Sequence, residues 1–272
     1  DTPQAKALVE KYFGTLKRGP AVPPIQVETP RLTSERRQVV NARVELPRVN
    51  VAWITPPIFK PGDAEADVTA TLLGGGRSSR LFKKLVYEKQ YSLTLGSIFQ
   101  IEATARPGHT AEELERAIDE ELALLRGAPP SEAEVERAKN TIETNIISGI
   151  ERLGGFGGVA DRLNTYNHYL GNPDYLGEDL RRYRTITPAS VQAFVKEQLT
   201  PAARAVLHAV PGDPAPLAQV PVTPPPAGES QVESINDEEP WRFQMPPAGP
   251  PRPLSLSTPQ SARLANGLTL IL

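Results

Sequence analysis

Cysteine is absent from this 272-residue chain, which excludes disulfides, thiolate metal sites and cysteine nucleophiles together. Compartment stays open, since reducing and oxidising compartments both tolerate cysteine-free proteins. Histidine is scarce: His109, His168 and His208 are the only three, far apart in sequence. Charge of one sign is lacking too, with 30 Lys and Arg against 32 Asp and Glu, a net charge of −2 and a pI near 6.0. There is no basic field to draw nucleic acid or an anionic membrane. No apolar run approaches the roughly 20 residues that span a bilayer. No G-x-S-x-G elbow occurs, and Gly74–Ser79 lacks the Lys and following Ser or Thr of a phosphate-binding loop. The chain opens at Asp1 with neither an initiator Met nor a signal peptide, as expected of a fragment or a processed product.

Proline is abundant instead, 29 residues or about twice the usual share. Fourteen lie between Pro211 and Pro259. Residues 213–258 show no apolar period and read as an extended, semi-rigid strap, with Trp241, Phe243 and Met245 as local anchors. A shorter Pro-rich connector, Gly19–Pro30, follows an opening helix in which Thr2 caps, Pro3 takes the first helical position, and Leu8, Val9, Tyr12 and Phe13 form one face.

Between these lies the folded unit. Arg37–Leu46 and Arg48–Thr55 alternate as strands around Pro47. Asp63 is expected to cap a helix running through Leu73, with a second helix from Ser78 to Lys89 and a strand within Leu93–Ala105. Thr110 and Glu113 form a capping box before a helix whose inward face is Leu114, Ile118, Leu122 and Leu125. Ser131 opens another, with Val135, Ala138, Ile142 and Ile146 inward. Helices follow at about 158–170, 173–184 and 187–199, then a strand at Ala205–Val210. The order predicts an α+β layer, an antiparallel sheet with helices packed on one face. Asn266-Gly267 between short apolar stretches is a hairpin signal whose second strand is cut by the end of the chain.

Three stretches carry a resemblance: PPIFKPGDAEADVTATLLGGGRSSRLFKKLVYEKQ, IEATARPGHTAEELERAIDEELALLRGAPPSEAEVERAKN and ERLGGFGGVADRLNTYNHYLGNPDYL. Together they resemble the second, non-catalytic module of insulinase/pitrilysin-type zinc peptidases, in the bacterial, mitochondrial-processing-peptidase-like branch. The resemblance divides the chain into the terminal helix of a preceding module and connector (1–30), the non-catalytic module (31–212), a Pro-rich linker (213–258) and the first strands of a following module (259–272).

It implies a clamshell built from paired α+β modules that encloses a peptide. The partner would be the other half of the same protein or a homologous subunit, the location a bacterial periplasm or envelope. The family's zinc sits in a catalytic module on H-x-x-E-H, two His one helical turn apart with a Glu acting on the metal-bound water. This chain lacks that motif, so zinc is expected only in the catalytic half of the parent, and hydrolysis is not expected of the chain alone. His109-Thr110-Ala111-Glu112-Glu113 places Glu113 where the second His belongs, and reads as a loop His before a capped helix. The Arg and Tyr that active members bring to substrate fall on Val86 and Leu93. The segment from Gln90 to Tyr91 is also shorter than in the family. By resemblance, the Gly-rich turn offers Gly75, Arg77 and Ser78 as peptide contacts. The alternative is a structural or assembly protein of the same fold with no protease role.

Overall fold

The computed structural model describes residues 2–19, 28–81, 88–91, 96–215, 239–244 and 258–271. In chain order the elements are α1 (Thr2–Phe13), β1 (Arg36–Ala42), β2 (Arg48–Thr55), α2 (Asp63–Gly74), β3 (Glu88–Tyr91), β4 (Ser97–Thr104), α3 (Ala111–Gly127), α4 (Glu132–Ile150), α5 (Val159–Leu170), α6 (Leu176–Arg184), α7 (Pro188–Gln198), β5 (Ala205–Pro211), β6 (Ser261–Arg263) and β7 (Thr269–Ile271). They fall into two compact units, Pro24–Gln219 and a smaller one of Asp1–Pro23 with Val220–Leu272.

The larger unit is α+β, built on one five-stranded sheet of order β1-β5-β2-β4-β3. The expected all-antiparallel pairing fails at one edge, where β1 and β5 run parallel from Arg36↔Ala205 to Ala42↔Pro211. The reason is topological. β5 enters between β1 and β2 and lies antiparallel to β2, so the strands expected to meet as a hairpin around Pro47 are split, and β5 must run with β1. Pro47 has no N–H to give; its carbonyl accepts from Ala105 N at 2.8 Å.

Period-two alternation sets the inward face. Val49, Val51 and Trp53 of β2 are buried opposite Ala103, Ile101 and Phe99 of β4, and Val206 of β5 pairs with Val51. The Trp53 indole N–H donates to the Thr200 carbonyl at 2.8 Å, which makes its burial tolerable. Against this face lie the predicted helical stripes: Leu114, Ile118, Leu122 and Leu125 of α3 and Val135, Ala138 and Ile146 of α4 are buried. Three capping boxes form: Thr110 with Glu113, Ser131 with Glu134, and Thr187 with Ser190 at the start of α7. On the opposite face of the sheet no described residue of β2, β4 or β5 is buried; Ile98 is exposed, and Asn50, Ala52, Gln100, Glu102 and Leu207 are half-exposed.

Two local expectations are corrected. Asp63 does not cap α2: Gly62 holds the N-cap with φ +96°, a conformation glycine supplies without strain, and the Asp63 carboxylate turns to other donors. The helix expected over Ser78–Lys89 is not formed at its described ends. Ser78–Leu81 are turns, and Glu88–Tyr91 pair with β4 as an edge strand. Its period matched a helix, but β4 offered a free edge to pair with. Val86 and Leu93 lie outside the described residues.

In the smaller unit, the Tyr12 ring of α1 meets Trp241 at 5.2 Å between centroids. Arg242 donates to the Tyr12 carbonyl and to Thr15 Oγ1, each at 2.8 Å. Leu8, Val9 and Phe13 stay exposed, as does Phe243; Met245 lies outside the described residues. β6 and β7 pair as the hairpin the Asn266-Gly267 signal predicts, with Gly267 at φ +86°.

Candidate functional site

α2 ends where glycine becomes obligatory. Gly75 donates its N–H to Thr71 O, and a Cβ there would come within 2.5 Å of that oxygen. Gly76 follows at φ +119°. The chain then doubles back, with Ser79 N and Oγ both donating to Gly76 O, Arg80 N to Leu72 O and Leu81 N to Leu73 O. This leaves Gly75, Arg77 and Ser78 exposed on a turn whose flanks are fixed. The turn is anchored by Arg80, whose guanidinium meets Glu134 of α4 twice, at 2.7 and 3.0 Å. Those donors hold the Glu134 carboxyl down at about 2.

The histidines do not converge. His109 is exposed, with Nδ1 2.9 Å from the capping-box carboxylate of Glu113. His168 is exposed on α5 beside Tyr169. His208 is buried at the β1–β5 edge, Nε2 2.8 Å from Glu115 Oε2 and Nδ1 3.3 Å from Glu112 Oε1. Glu115 is already engaged: Arg37 grips both its oxygens at 2.8 and 2.6 Å, and Arg204 Nη2 adds a contact at 3.0 Å. These bonds, Arg37's first, hold Glu115 at about 2 against the cost of burial. Arg204 also pairs with Asp119 and Glu35. A zinc site does not fit this donor set, because no second imidazole stands near His208 and its carboxylate neighbour serves guanidiniums. Among the described residues, no group of three or more His, Asp or Glu is placed to hold a metal ion.

A second buried polar cluster joins α2, α5 and α6. Asp63 Oδ2 accepts from Phe59 N and Arg182 Nη1, both at 2.9 Å. Arg182 also grips Asp179 Oδ1 at 2.7 and 3.0 Å, while Tyr166 O–H donates to Asp179 Oδ2 at 2.6 Å. Tyr183 O–H donates to Asp67 Oδ2 at 2.7 Å. Burial, with Asp63 and Asp179 adding like charge, pushes Asp67 up to about 7, and burial pushes Tyr166 to about 12. Phe59 sits at φ +60°, rare for a non-glycine, among Tyr166, Tyr169 and Tyr175 with the Arg182 guanidinium 4.9 Å from its ring.

Sequence reasoning found the turn and its glycines but missed Arg80–Glu134 and both buried networks. The signals were carboxylates on apolar helix faces: Asp63 and Asp67 one turn apart in α2, and Glu115 beside Leu114 and Ile118. Of Tyr166, His168 and Tyr169, only Tyr166 turns inward.

The family model described as the peptidase M16 inactive domain matches residues 1–142, just over half of the chain's 272. The zinc protease PqqE of Helicobacter pylori is 28% identical over 184 residues, covering 62% of this chain and 40% of that protein. The chain thus spans well under half of that relative's length. A solved protease from Helicobacter pylori superposes with a TM-score of 0.68 at 22% identity, over 78% of this chain and 53% of the other. The peptidase M16 inactive domain from Pseudomonas fluorescens gives 0.64 at 18%, over 81% and 53%. The periplasmic protease PqqL from Escherichia coli gives 0.55 at 15%, over 78% and 24%. At these identities the solved structures establish the fold and no more.

Proposed function

Because the chain belongs to the peptidase M16 inactive-domain family, we propose that it is the non-catalytic module of a bacterial zinc peptidase, forming part of the chamber wall and contacting an extended peptide. The observation that carries this reading is the one-sided sheet. Helices bury the inward face, while the other presents half-exposed residues such as Asn50, Gln100 and Leu207, a surface along which an extended chain can lie. Among the described residues β1 and β3 are the edge strands of the sheet, and strand addition to a sheet edge is a general mode of peptide capture. Gly75, Arg77 and Ser78 add an exposed turn with glycine backbone accessible to a peptide.

Hydrolysis belongs, on this reading, to a catalytic module elsewhere in the parent or in a homologous subunit, and zinc is held there. No described helix is long and apolar enough to cross a membrane. The envelope location is proposed from family resemblance, with a periplasmic protease among its structural neighbours.

The test is amide exchange of the purified chain with and without an unfolded peptide. Saturable protection along β1, β3 or the open sheet face supports the reading. Unchanged exchange at saturating peptide contradicts it and favours a structural role for the same fold.

A further inference from the structure

Helix α5 is held to the larger unit by very little. Of its 12 residues only Tyr166 is buried, while α3 buries a full stripe from Ala111 to Leu125 and α4 one from Val135 to Gly149. Ala160, Asp161, Leu163, Asn164 and the run from Asn167 to Leu170 are exposed. A segment with so few buried contacts is the kind that opens locally while the rest of a domain stays folded.

Glycine stands at both ends of this helix. Gly155 and Gly157 precede it at φ +79° and +74°, and Gly171 closes it at φ +67°. Small residues at the ends of an element commonly absorb the backbone change of a hinge. The N-terminal side is the better anchored. Val159 N and Ala160 N donate to Arg152 O and Leu153 O at 2.9 and 3.1 Å, and the loop packs on α4 so closely that a Cβ on Gly149 would lie 2.6 Å from Gly157 O.

Farther along, Tyr166 makes the main attachment. Its O–H donates to Asp179 Oδ2 of α6 at 2.6 Å, and Arg162 Nη1 reaches the same oxygen at 3.4 Å. The Tyr166 ring lies 5.6 Å from that of Tyr175 and 6.0 Å from that of Phe59, and Tyr169 meets Phe59 at 6.3 Å. Asp179 does not depend on Tyr166, because Arg182 holds its other oxygen at 2.7 and 3.0 Å, so the buried carboxylate stays paired when the tyrosine leaves. A cavity of about 200 Å³ lies at this junction, lined by Arg162, Thr165 and Tyr166 of α5 on one side and by Phe59, Arg182 and Tyr183 on the other.

We propose that α5 is a lid, pivoting at the glycine loop 154–158 and latched to α6 by Tyr166, that opens while the rest of the module stays folded. Opening widens the cavity and bares the rings of Phe59 and Tyr175.

The test is native-state amide exchange of the purified chain, read residue by residue in the parent, Tyr166→Phe and Ile118→Val. In the parent, the amides of residues 163–170 are expected to exchange at least tenfold faster than interior amides of α3 and α4, at rates that low urea leaves unchanged, because opening exposes little surface. Y166F removes only the latch hydroxyl and should speed α5 exchange about fivefold. I118V loosens the core under α3 and should speed the slowest α3 and α4 amides several-fold without affecting α5. If α5 exchange climbs with urea as steeply as that of α3, or if I118V speeds it equally, α5 opens only with the whole module and the proposal fails. Unchanged α5 exchange in Y166F overturns it as well, since Tyr166 is then no latch.

Discussion

Replacing Asp67 by Asn is expected to stabilise the protein, and increasingly so as pH rises. Asp67 accepts from Tyr183 O–H and lies near two other carboxylates, Asp63 and Asp179, with burial the main cost of ionising it. Its carboxyl therefore stays protonated in the folded chain up to about pH 7, whereas the unfolded chain releases that proton near its ordinary value of 3.8. A raised acid pKa works against folding: nothing is lost below about pH 4, the loss grows through the interval, and it levels off above about pH 7. Roughly three pKa units at ~1.4 kcal/mol each set an upper limit of about 4 kcal/mol. Asparagine keeps an acceptor for Tyr183 and cannot ionise. Urea unfolding of both proteins at several pH values gives the difference directly, and groups other than residue 67 cancel to first order. The advantage of D67N is expected to grow by about 2–3 kcal/mol between roughly pH 5 and 8.5. A difference that is flat with pH, or a variant weaker than the parent at about pH 8.5, refutes the argument.

Glu115→Gln runs the other way. Glu115 is held near 2 by Arg37 and His208, so its contribution is present above the ordinary Glu range, is lost as pH falls towards 2, and should amount to about 3 kcal/mol at neutral pH. Thermal unfolding at pH 7 and pH 3 checks it. Gly76→Ala forces alanine to φ +119° and should cost about 1–2 kcal/mol in chemical unfolding. Arg77→Ala touches an exposed side chain and should leave stability within about 0.5 kcal/mol while weakening peptide binding, measured by fluorescence titration. Trp241→Ala removes the ring packed on Tyr12 and should speed amide exchange in α1, because no residue of that helix is buried to protect it otherwise.

Much of this structure was legible in the sequence where local chemistry and tertiary packing agree. The α3 face from Leu114 to Leu125, the capping boxes at Thr110 and Ser131 and the Asn266-Gly267 hairpin depend on residues within a few positions of one another. Strand order does not. Nothing near Arg36–Ala42 announces that β5, more than 160 residues later, will separate it from β2. Asp63 read as a cap because helix starts favour Asp, yet its carboxylate serves Arg182, 119 positions away. The same holds for the candidate site. The Gly-rich turn is local and was readable, while Arg80–Glu134 and Arg37–Glu115–Arg204 join distant segments that only the fold brings together.

Among the described residues no group of three or more His, Asp or Glu is placed to hold a metal ion, and on the reading proposed above zinc is held in another module. Elemental analysis of the purified chain after zinc loading and desalting, run beside a peptide-digestion assay with and without a chelator, tests it most directly. We predict substoichiometric zinc and no chelator-sensitive cleavage. One tightly held zinc per chain, together with hydrolysis that the chelator abolishes, contradicts the account.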